Sequence, residues 1–71
     1  MSIQNMISTS AEDCRITLEG ELRRDPANAA RSAIDLLEEL AGMEGQSSRR
    51  KVAGSIIRKA SKALEGGGLN G

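Results

Sequence analysis

Apolar residues recur along the middle of the chain at intervals of three and four. Ala30, Ala33, Ile34, Leu37, Leu40 and Ala41 follow that spacing, and Asn28, Arg31, Asp35, Glu38 and Glu39 fill much of the rest. The pattern predicts an amphipathic helix over about residues 26–43. Asp25 marks its start as an N-cap type, with Pro26 at the first helical position, where the missing N–H does no harm. Gly42 and Gly45 bracket its stop, so "GMEGQS" reads as a short helix–helix connection.

A second stripe follows at once. Val52, Ala53, Ile56, Ile57, Ala60, Ala63 and Leu64 predict a helix over about residues 48–64, starting at Ser47 or Ser48, with Ser48 resembling an N-cap. Two helices of similar length on a short turn predict an all-α fold built on an antiparallel helical hairpin. The hairpin core, or the core of a dimer made from it, is read as Ala30, Ile34, Leu36, Leu37, Leu40, Val52, Ile56, Ile57, Ala60 and Leu64. Gly54 lies inside the second helix at a cost of about 1 kcal/mol relative to alanine. With Ala53 and Ser55 it forms a small-residue patch that another helix could approach closely, although a tolerated glycine accounts for it equally well.

The segment over about residues 10–24 carries two patterns. Ser10 followed by Asp13 resembles a capping box, and Ala11, Cys14, Leu18 and Leu22 share one helical face. "RITLEGEL" also alternates as a strand would, and Gly20 weakens either choice. Helix is the favoured reading. Residues 1–9 are expected to be a flexible N-terminus and 66–71 a disordered Gly-rich tail, leaving one small domain over 10–65.

Composition limits what this domain can do alone. Its 71 residues include no Phe, Tyr or Trp, so the core is aliphatic and thin, and small chains of this kind usually need disulfides, metal or oligomerisation. The single cysteine, Cys14, excludes an intrachain disulfide, and with no histidine the familiar zinc sites are excluded too. A homodimer is therefore expected. The lone cysteine and the lack of a signal-like or membrane-spanning stretch predict a cytoplasmic protein with no membrane partner. Catalysis is not expected: no His–Ser or His–Cys pair can form, Cys14 reads as an apolar filler, and Glu38 and Glu39 point apart. No cofactor, metal or small-molecule substrate is predicted.

Charge changes the picture most. Net charge is zero, yet residues 1–46 hold nine acids against four arginines and residues 47–71 hold six bases against Glu65 alone, a split of −5 and +5. Arg49, Arg50 and Lys51 crowd a helix start, where the macrodipole favours acids. One explanation is pairing across the turn with Glu38, Glu39 and Glu44; the other is contact with a partner. The candidate partner-binding residues, for protein or phosphate, are Arg49, Arg50, Lys51, Arg58, Lys59 and Lys62.

"LLEELAGMEGQSSRRKVAGSIIRKA" resembles the two-helix half of a ribbon-helix-helix repressor through Leu37, Leu40, Gly45, Ser47 and Val52. That resemblance implies a dimer gripping phosphate at the start of its second helix. It also demands a strand just before the first helix, and the candidate strand at 15–22 would present Glu19 and Glu21 to DNA, against phosphate repulsion. The expected function is thus a small non-enzymatic regulator, acting as a homodimer that binds and inhibits or redirects a macromolecule, with a protein favoured. The alternative is a dimeric DNA-binding transcription regulator of ribbon-helix-helix or helix-turn-helix type.

Overall fold

Three α-helices account for the order in the chain, whose structure, a computed structural model, describes residues 9–67. Helix α1 spans Ala11–Arg24, α2 spans Pro26–Leu40 and α3 spans Ser47–Lys62, followed by a π-helical stretch at Ala63–Gly67. Each helix packs against both others. The N-terminal segment is helical, and no strand occurs among the described residues, so the ribbon of a ribbon-helix-helix protein is not present among them.

Local chemistry explains why α1 is a helix. The Ser10 side chain accepts a hydrogen bond from the Asp13 N–H at 3.1 Å, Glu12 and Asp13 occupy the first turn, and Arg23 and Arg24 occupy the last. Both ends therefore oppose the macrodipole correctly. Arg15 pairs with Glu12 one turn back and with Glu19 one turn on (3.3 Å), and Arg24 pairs with Glu21 at 2.7 Å. A strand would have aligned Ile16 with Leu18; in the helix Leu18 is buried and Ile16 is 54% exposed.

Asp25 alone separates α1 from α2 and serves both. Its N–H donates to the Glu21 carbonyl at 2.7 Å, closing α1, while its carboxylate accepts from the Asn28 N–H at 3.2 Å, opening α2 ahead of Pro26. The expected Asp25–Pro26 start is as observed. The expected stop is not: α2 ends at Leu40 rather than Met43, because Ala41 is extended and Gly42 turns the chain at φ +85°. Gly45 makes a second such turn at φ +73°, and both conformations favour glycine. Helix α3 begins at Ser47 with Gln46 as its N-cap and no side-chain cap, so Ser48 lies inside the helix rather than at its cap.

The buried core consists of Cys14 and Leu18 from α1, Ala29, Ala33, Leu36 and Leu40 from α2, and Ala53, Ile56 and Ala60 from α3. Leu22, Leu37, Val52 and Ile57 pack at its margin. The expected row on α2 is turned by one position, for Ala30 is half-buried and Ile34 is 45% exposed. The cause is α1, which draws its own side of α2 inward: Asn28 donates to the Glu21 carboxylate at 2.8 Å. Leu64, assigned to the core, is 52% exposed. Of the flexible ends expected at 1–9 and 66–71, residues 1–8 and 68–71 lie outside the described residues.

Candidate functional site: the cationic face of the last helix

The six candidate basic residues separate into three groups. Arg50 is half-buried, and its guanidinium donates to the carbonyls of Leu40 (3.1 Å) and Met43. Those carbonyls belong to the end of α2 and its connection, where acceptors are left without helical donors. Helix α2 has no base in its own last turn. Arg50 therefore supplies from the next helix the cation that the α2 C-terminus favours.

Arg49 is also engaged within the chain. It donates to the Gln46 side chain at 2.7 Å and to the Thr9 carbonyl just before α1. Lys59 bonds Glu19 of α1 at 3.1 Å. The contacts Arg49–Thr9 and Lys59–Glu19 each join residues forty positions apart, so α1 and α3 run side by side in one direction. The Lys59 hydrogen bond holds the Glu19 carboxyl below its ordinary range, with Arg15 adding to the effect against partial desolvation. Arg24 and then Asn28 lower Glu21 in the same way.

Lys51, Arg58 and Lys62 form the third group. They stand seven and four residues apart, which stacks them along one side of α3 over about 16 Å of helix rise. All three are exposed, and none pairs with an acid among the described residues. The buried row of α3, Ala53, Ile56 and Ala60, lies on the opposite side. The expected pairing across the turn does not form: among the described residues Glu38, Glu39 and Glu44 bond none of Arg49, Arg50 and Lys51. Uncharged oxygens, of the backbone and of the Gln46 side chain, accept from Arg49 and Arg50.

Of the residues assigned to a hairpin or dimer core, Leu36, Leu40, Ile56 and Ala60 are buried, Leu37, Val52 and Ile57 border the core, Ala30 is half-buried, and Ile34 and Leu64 are exposed. Cys14 is a free, buried thiol 3.7 Å from the Thr9 hydroxyl. Two roles escaped the sequence reading: Glu19 as the α1 anchor of Lys59, and Arg50 as a cap for α2. The second had a signal, since α2 ends in acids with no base of its own. No family model matches the chain, and no curated protein or solved structure matches it either.

Proposed function

We propose that this chain is a small non-enzymatic regulatory protein that binds another macromolecule, by preference a protein, and inhibits or redirects it. The row Lys51, Arg58 and Lys62 supports this reading, because these three aligned, exposed cations pair with no acid among the described residues. Such a row suits an acidic segment of a partner, where charge sets orientation and association rate more than raw affinity. The working unit is an antiparallel hairpin of α2 and α3 buttressed by α1 and assembled as a homodimer. Exposed Ile16, Ile34 and Leu64 on so small and aromatic-free a chain support assembly. A buried free cysteine suits a reducing cytoplasm.

DNA is the second reading, favoured by the same row, since stacked cations suit successive phosphates. Capture from nuclease-treated lysate, wild type beside Lys51→Glu/Lys62→Glu, tests the two. A protein retained by wild type through nuclease and lost by the variant is the expected result. Recovery of nucleic acid alone, weakening steeply with salt, would replace the first reading with the second.

A further inference from the structure

On α2 the buried row has two unlike flanks. Asn28, on one flank, bonds α1 through Glu21; Ala30, Ile34 and Leu37 form the other flank, away from α1. Helix α3 is arranged alike. Lys59 bonds α1 through Glu19, while Gly54, Ile57 and Ser61 lie on the far flank. The outer face of the α2–α3 layer is thus an aliphatic ridge beside a small-residue groove, and α1 covers only the opposite face.

Among the described residues nothing requires a glycine at position 54. A Cβ there would meet only the Arg58 guanidinium at 3.7 Å, the end of a flexible side chain, so alanine would fit and favour the helix. Together Gly54, Ile57, Arg58 and Ser61 stand at i, i+3, i+4 and i+7, the four positions that frame a hole for a knob from another helix. Ile34, 45% exposed on the neighbouring ridge, has the form of such a knob. Charge follows the same division. Glu38 is exposed beside Ile34 on the outer edge of α2, and Arg58 holds its guanidinium beside Gly54 on α3.

We propose that a second copy of this chain occupies this face, with α2 of each copy lying on α3 of the other. Ile34 enters the hole around Gly54 of the second copy, and Arg58 of that copy meets Glu38. Each copy offers both ridge and groove, so the contact is made twice and closes about a two-fold axis. Laying α2 on α2 and α3 on α3 would instead set the cationic rows of the two α3 helices against each other. The inference rests on the dimeric reading above and assigns its surface. Lys51 and Lys62 stay at the outer rim, open to a further partner.

Sedimentation equilibrium on the full chain tests it, with circular dichroism reporting helix content. Wild type should be a dimer. Ile34→Gln and Gly54→Leu should each raise the dimer dissociation constant about tenfold or more with helicity retained. Gly54→Ala should weaken the dimer while raising the helicity of the monomer, a pairing that a purely structural glycine would not give. Arg58→Glu should weaken assembly, and adding Glu38→Arg in the same chain should restore it. A monomeric wild type would overturn the dimeric reading itself. A wild-type dimer indifferent to Ile34→Gln and Gly54→Leu would overturn this face alone, and failed charge rescue would overturn the α2-on-α3 pairing.

Discussion

Arg50 is badly placed for the helix it belongs to and well placed for the one before. At the start of α3 its charge opposes the macrodipole, a cost of about 0.3–1 kcal/mol. Its bonds to the Leu40 and Met43 carbonyls, of the charged kind worth about 1.5–3 kcal/mol, outweigh that cost. Arg50→Gln should therefore lower unfolding free energy by roughly 1–2 kcal/mol in urea titration. Lys51→Gln, with no bond to lose, should stay within about 0.5 kcal/mol of wild type. Equal losses from both would reject the capping role. Leu36 and Ile34 offer a second contrast. Leu36→Ala empties a buried site and should cost about 2–5 kcal/mol, enough to unfold so small a domain. At concentrations where the chain is monomeric, Ile34→Ala should cost well under half of that in the same titration.

At the scale of the elements, end chemistry was more legible than facing. Asp25–Pro26 announces the start of α2 because cap and fixed φ both act locally. The row that α2 buries was not legible, since apolar residues fill two adjacent rows, 29/33/36/40 and 30/34/37/41, and only the position of α1 chooses between them. Residues 15–22 satisfied both helical and strand periods; the Ser10 cap and the ion pairs along α1 resolve that ambiguity for helix. Glu19 ties α1 to α3, and its lowered pKa fixes the sign of a pH effect. The folded state binds that proton less readily than the unfolded chain. Its contribution is therefore complete above the ordinary value of 4.5 and is lost as pH falls through the lowered folded-state value. Glu19→Gln should flatten the acid limb of stability against pH, measured by urea unfolding between about pH 5 and 2. An unchanged limb would show that the Lys59 contact contributes nothing in solution.

For the whole molecule, the −5 and +5 split allows either pairing between the halves or contact with a charged partner. Among the described residues only the Lys59–Glu19 ion pair links an acid of the first half to a base of the second, while Arg49 bonds the Gln46 side chain and the Thr9 carbonyl and Arg50 bonds the carbonyls of Leu40 and Met43. Lys51, Arg58 and Lys62 are thereby left facing outward as one row. The sequence made the six bases visible but not their division, because that depends on which carbonyls the turn at Gly42 and Gly45 brings to α3. The account's central claim is this division of labour along one helix. Its most direct test is capture of the proposed protein partner from nuclease-treated lysate by Arg49→Gln/Arg50→Gln and Lys51→Gln/Lys62→Gln side by side, scaled to folded protein. The account predicts that the first variant is less stable yet captures normally once folded, and that the second is stable but captures poorly. The reverse pattern would contradict it.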